Sequence, residues 1–381
     1  MRKVCVVVAS RANYGRVKPV LTAIRNHPDL ELQLVAGASV LLETYGKAIN
    51  VIERDGFEVL RHIYYVVEGE NPLTQAKTTG LGIIELASAF EDLKPDIVIT
   101  VADRFETMAT AIAASYMNIP LAHIQGGEIT GNIDETVRHA ITKLSHYHFP
   151  ATEQSKERLL KMGEEPWRVL NSGCPSIDTI VMQNTDVRQY KNHFKAGVGA
   201  EIDCEKPFIL VSQHSVTSEY ADGQKQIEET LFALKDRPEQ KIMLWPNSDA
   251  GSDKVSKGIR NFREHNGDCG FRFFKNFPPE VYNALLANAI CAVGNSSSFI
   301  REGSFLGLPV VLVGNRQEGR EHGKNILHVT NDRKQIADAL EKQLTHGRYE
   351  TETIFGAGDA GIKIADFLAN VKLDINKRMT Y

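Results

Sequence analysis

No apolar run in these 381 residues approaches the ~20 that a membrane-spanning helix needs. The N-terminus passes from Met1–Lys3 straight into VCVVVAS, with no small-residue cleavage site behind an apolar segment. A cytoplasmic protein with no membrane partner is the expectation. Neither sign of charge dominates, since 44 Lys and Arg against 48 Asp and Glu leave a net charge of −4, so there is no basic footprint for nucleic acid. The five cysteines are odd in number, far apart and in no CxxC arrangement, which reads as reduced structural thiols. There is no repeat of 20–50 residues and no low-complexity tract. GxGxxG and Walker A are both absent, so neither a nicotinamide dinucleotide nor an NTPase loop is indicated. His146 and His148 alternate with Tyr147 on one expected strand, with no Cys or carboxylate at ligand spacing nearby. Neither metal nor cofactor is expected.

What is present is an alternation. Short β-branched runs at 3–10, 31–39, 96–102, 120–126, 207–214, 241–247, 289–295 and 309–315 are separated by segments whose apolar positions recur every three to four residues, among them 73–93, 104–117, 153–162, 222–235 and 332–345. Strands alternating with helices predict parallel sheets covered on both faces, here twice: an α/β protein of two Rossmann-like domains facing across a cleft. A last strand, RVLNSG, and then a polar, strand-poor interval place the boundary within 173–205. The expected domains are 1–175 and 176–357, and ligands are expected at the carboxyl ends of the strands.

Polar clusters fall at those ends. SRANYGR, DRFE, QGGE, QH, PNSDAGS, GNSSSFIRE and GNRQEGRE each follow an apolar run. GNSSSFIRE reads as a glycine turn, then hydroxyls and backbone N–H groups at a helix N-terminus, which suits a phosphate; serine N-capping is the alternative. Glu302, one turn further on, would repel phosphate and suits neutral hydroxyls such as a ribose diol, which points to a nucleotide. Arg11 and Arg316 can add charge-assisted contacts to a diphosphate, and His214 and Asn247 end strands that face the expected cleft. In HIQGGEITGNIDETVRHA, Asn132 can cap a helix with Ile133, Val137, Ala140, Ile141 and Leu144 on its apolar face, which puts Asp134 in the first turn. Asp103 follows a strand directly, beside Arg104. Two carboxylates from adjacent strand ends form an acid–base set able to move a proton at carbon; a cap or an ion pair is the alternative for either alone.

As a set, RANY, KPDIVITVADRFE, MNIPLAHIQGGEITGNIDETVRHAITKLSHYH, GCPSID, QHSVT, PNSDAGS, GNSSSFIRE and GNRQEGRE resemble the UDP-N-acetylglucosamine 2-epimerase family, and within it the hydrolysing branch that opens sialic-acid biosynthesis. The resemblance spans nearly the whole chain. It implies a glycosyltransferase-B-like architecture in which a C-terminal helix, about 358–381, returns to the first domain. It also implies a homo-oligomer (dimer or tetramer) and a reaction in which the C2 proton and UDP are lost to give a 2-acetamidoglucal, and water then releases N-acetylmannosamine. Asp103 and Asp134 match the family's acid–base carboxylates, and Arg104 the arginine beside the first. Arg11, His214, Asn247, Ser296, Ser297, Glu302 and Arg316 match uridine diphosphate contacts, and Gly15 and Phe277 join them as substrate-binding positions. Gln125 stands where several relatives have a catalytic glutamate, so it either orients water or the N-acetyl group, or cedes the role to Glu128. Val40 stands where the animal enzyme has histidine. Bacterial relatives of this branch act on a UDP-2,4-diacetamido-trideoxyhexose for legionaminic acid, the alternative to UDP-N-acetylglucosamine here. A glycosyltransferase of the same architecture and a UDP-sugar-binding regulator are the competing readings.

Overall fold

The computed structural model describes residues 1–69, 72–130, 133–216, 219, 221–246 and 251–380. The chain divides into two compact units. Met1–Ile129, Ile133–Val181 and Phe355–Tyr381 make up the first, and Met182–Ile354 is the body of the second.

The first unit is built on strands β1 (Arg2–Val8), β2 (Leu30–Gly37), β3 (Arg61–Ile63), β4 (Ile97–Val101), β5 (Leu121–Ile124) and β6 (Tyr147–Phe149). All are parallel, in the order β3-β2-β1-β4-β5-β6. The alternation of side chains along β1 explains its unbroken apolar run. Val4, Val6 and Val8 join one buried cluster with Leu34, Ala36, Ile97 and Ile99, whereas Cys5, Val7 and Ala9 join another with Val35, Val98 and Leu86. A strand covered on both faces has no side left for polar residues. The helix Ala360–Asn370 adds Ile364, Ala365 and Leu368 to the first cluster beside Val17, Val20, Leu21 and Ile24 of the helix Arg11–Asn26. A Cβ on Gly361 would run into the Pro19 carbonyl, so glycine is what lets the two helices approach.

The second unit holds β7 (Val198–Gly199), β8 (Phe208–Ser212), β9 (Gln240–Leu244), β10 (Phe271–Phe274), β11 (Cys291–Gly294), β12 (Val310–Val313) and β13 (Ile326–Val329), in the order β13-β12-β11-β8-β9-β10-β7. Only the β7 edge is antiparallel. Among the parallel strands of each sheet the order reverses once, between β1 and β4 and between β8 and β11, and ligands of doubly wound sheets sit at the carboxyl side of such points.

The expected strand RVLNSG is not one. A 3₁₀ turn at Pro166–Arg168 is followed by a single bridge from Val169 to His148. Conversely, β3, β7 and β13 are edge strands of two to four residues whose apolar content is too small to stand out in the sequence.

Candidate active site

At the β4 end of the first sheet the backbone turns sharply. Ala102 has φ 66°, and Gln125, directly after β5, has φ 65°. A left-handed conformation at a residue with a side chain costs on the order of 1 kcal/mol and persists only where the surroundings enforce it. The enforcing group at Ala102 is His123 of β5. Its buried Nε2 lies 2.8 Å from the Ala102 carbonyl and its Nδ1 3.3 Å from Thr142 Oγ1. Burial pushes the imidazole down to about 3, so it is neutral at physiological pH and donates from Nε2 to the carbonyl. The strained turn delivers Asp103 to Arg138, whose guanidinium ion-pairs with the Asp103 carboxylate and donates to the Glu128 carbonyl at 2.7 Å. Arg138 is fully buried and Asp103 is 16% exposed.

Arg138 lies on the helix Ile133–Leu144, one turn after Asp134. Asp134 stands in the first turn of that helix, where the dipole favours its charged form. Asn132, the expected cap, lies outside the described residues. Ile133 is 62% exposed and so leaves the expected apolar face, because it precedes the stretch that packs on the sheet. Gln125 is buried with its amide fixed at both ends: its carbonyl accepts from Arg16 at 3.3 Å and its NH₂ donates to Cys174 Sγ at 2.9 Å. Glu128 is 4% exposed. Arg104 is drawn to the buried Glu106 at 3.1 Å. Arg11 opens the helix after β1, which Ser10 caps by accepting from the Asn13 N–H at 3.2 Å. Gly15, one turn on, faces open space. Val40 is buried in the core.

In the second unit Asn295 is the organiser. The His214 N–H donates to its Oδ1 at 2.7 Å, and its Nδ2 donates back to the His214 carbonyl at 2.9 Å. Its own carbonyl accepts from Gln317 at 3.0 Å and Arg316 at 3.3 Å. The segments after β8, β11 and β12 are thereby tied together. Gly294 has φ 134°, and a Cβ there would meet the Ser212 carbonyl, so only glycine permits the turn. Ser296 is the N-cap of the helix Ser297–Leu306, but its side chain makes no capping bond; its Oγ lies 2.8 Å from Ser298 Oγ, which is bonded in turn to Tyr282. Serine capping is therefore not what Ser296 does. Ser297 and Glu302 share this helix. Phe277 is packed among Phe274 and Phe194, with centroids 4.5 Å and 6.2 Å away. Asn247 lies outside the described residues.

A family model described as UDP-N-acetylglucosamine 2-epimerase matches residues 22–369. The chain belongs to that family. It is 33% identical over 373 residues to the UDP-N,N'-diacetylbacillosamine 2-epimerase (hydrolyzing) of Legionella pneumophila, covering 98% of this chain and 97% of that one. To the GDP/UDP-N,N'-diacetylbacillosamine 2-epimerase (hydrolyzing) of Campylobacter jejuni it is 32% identical over 345 residues, covering 90% and 88%. Its fold is that of the Neisseria meningitidis UDP-GlcNAc 2-epimerase solved with UDP-GlcNAc, with a TM-score of 0.80 at 21% identity over 96% of this chain and 99% of that one. This is the expected two-domain α/β, glycosyltransferase-B-like architecture. No described helix is long and apolar enough to cross a membrane. The pattern of this 2-epimerase chain had not marked Arg138, His123 or Asn295 as site residues. Arg138 carried one signal, its place four residues after Asp134 on an expected helix; the other two act by holding backbone, which no spacing announces.

Proposed function

We propose that the protein is a hydrolysing UDP-sugar 2-epimerase, converting a UDP-2-acetamido sugar and water into UDP and the free sugar inverted at C2. The observation that carries the reading is the buried Arg138 gripping Asp103 while sharing a helix with Asp134, so one element relates both carboxylates. One carboxylate takes the C2 proton. Its bonding pair becomes the C1=C2 double bond as the C1–O bond breaks and the diphosphate leaves with the electrons. Water then adds its oxygen to C1, and a proton enters C2 from the opposite face. Gln125, held by Arg16 and Cys174, exchanges no proton and orients water or the N-acetyl group, with Glu128 as the neighbouring carboxyl. Arg104 stands beside Asp103.

In the second unit Ser296, Ser297, the helix they start and Arg316 are the contacts for the diphosphate; Arg11 is a candidate contact on the first unit. Glu302 takes the ribose hydroxyls, with His214, Asn247 and Phe277 as further contacts of the second unit; Gly15 is a candidate contact on the first unit. The two relatives named for diacetylbacillosamine favour the 2,4-diacetamido-2,4,6-trideoxy sugar over UDP-N-acetylglucosamine. A cytoplasmic homo-oligomer, dimer or tetramer, belongs to the same proposal. The test is NMR of the protein with each UDP-sugar in D₂O. Release of UDP with a free manno-configured sugar deuterated at C2 is expected, faster from the diacetamido substrate. UDP release only when an acceptor is added, with the sugar bonded to that acceptor, would overturn it in favour of a transferase.

A further inference from the structure

Residues 372–380 form neither helix nor strand, yet they are fastened along the first unit. Tyr147 Oη donates to the Lys372 carbonyl at 2.8 Å and accepts from the Asp374 N–H at 2.9 Å. The Arg168 guanidinium donates to the carbonyls of Asp374 and Asn376, each at 2.9 Å. At the centre of this strap, Lys377 Nζ donates to the carbonyls of Thr142 at 2.8 Å, Lys143 at 3.2 Å and Ser145 at 2.6 Å. The same ammonium lies 2.6 Å from the buried Glu164, which also meets Lys143 at 2.7 Å and His148 at 2.9 Å.

Those carbonyls belong to the C-terminal end of the helix Ile133–Leu144, where the last C=O groups have no partner within the helix and the dipole favours a cation. Twelve residues are too few to be stable as an isolated helix, so its position depends on the packing of Val137, Ile141 and Leu144 on the core and on what grips its ends. Its N-terminal turn carries Asp134, and its Arg138 grips Asp103.

We propose that Lys377 is a positioning residue: by closing the far end of this helix it fixes Asp134 and Arg138, and through Arg138 the Asp103 carboxylate, in the geometry for proton transfer. The inference rests on the 2-epimerase reading for its catalytic consequence but not for its structural one. A shift of about 1 Å in reacting groups can cost about 10²-fold in rate.

The test compares the full chain with Lys377→Met, which keeps the stem and removes the cation, and with Lys377→Arg. Melting temperature, amide exchange of 133–144 and steady-state kinetics on the UDP-sugar are measured for each. Lys377→Met is expected to stay folded, to exchange faster in 138–144 and to lose kcat about 10–100-fold at a KM within twofold, with Lys377→Arg recovering most of the rate. Unchanged kcat in a folded Lys377→Met overturns the proposal, as does a fall in kcat and melting temperature that Lys377→Arg shares in full. Should Lys377→Met not fold, Lys377→Gln is read by the same criteria. If the wild type turns over no UDP-sugar, the 2-epimerase reading fails, and the exchange rates alone decide whether the strap holds the helix.

Discussion

Asn295 and His214 exchange two hydrogen bonds, amide to backbone in both directions, across the point where the second sheet reverses its strand order. The exchange fixes the backbone of a histidine whose side chain is proposed to meet UDP. Asn295→Asp keeps the acceptor and loses the donor, so the buried His214 carbonyl loses this hydrogen bond at a cost of about 1–3 kcal/mol. Urea unfolding should register that loss, and calorimetry should show UDP binding weakened with it. Ser297→Ala, which removes only a hydroxyl at the helix start, should weaken UDP binding by about 1–2 kcal/mol without changing stability. Equal UDP affinity in both folded variants would remove the phosphate assignment.

Asp134→Asn keeps shape and capping ability and removes basicity. Turnover should fall by about 10²–10⁴ while melting temperature and UDP affinity hold. Near wild-type turnover would reduce Asp134 to a helix cap.

Gln125→Glu restores the carboxylate of several relatives beside Arg16, which already reaches the Gln125 carbonyl at 3.3 Å. An ion pair there would keep the new carboxylate charged and a weak base. A folded protein with an altered pH profile and no large gain in rate is expected; a large gain would show that position 125 is a proton carrier after all.

Arg138→Leu removes the buried guanidinium that pairs with Asp103 and should destabilise the protein by about 3–5 kcal/mol. Arg138→Lys retains charge but not the planar fork that serves Asp103 and the Glu128 carbonyl together, so it should fold and lose turnover. Full activity in Arg138→Lys would show that charge alone suffices.

His123 and His148 are pushed by burial down to about 3 and about 4. Their unfolded forms take up a proton below about pH 6.5 and the folded forms do not, so stability present above that pH is lost as pH falls towards 4. Burial alone would raise Glu164, but His148, Lys143 and Lys377 hold it down to about 2, which extends the loss from about 4.5 downward. The melting temperature should drop steadily from pH 7 to pH 4, with a shallower slope in His148→Gln. A flat profile would contradict the neutral buried histidines.

The sequence by itself determined the layered α/β plan, since strands covered on both faces must be unbroken apolar runs and the helices between them must show a three-to-four period. It also placed Asp103, His214 and Ser296 after strand ends, because polar residues interrupt such runs where a strand passes into a turn. Only the tertiary structure decided what holds them. Arg138 meets Asp103 from 35 residues away, His123 enforces the turn at Ala102 across a strand, and Asn295 reaches the backbone of His214 from 81 residues away. Lys377 closes a helix more than 230 positions earlier. Local patterns report which face of an element is buried; they carry no information about which distant backbone carbonyl or carboxylate a side chain will satisfy, because that partner exists only once the chain has packed.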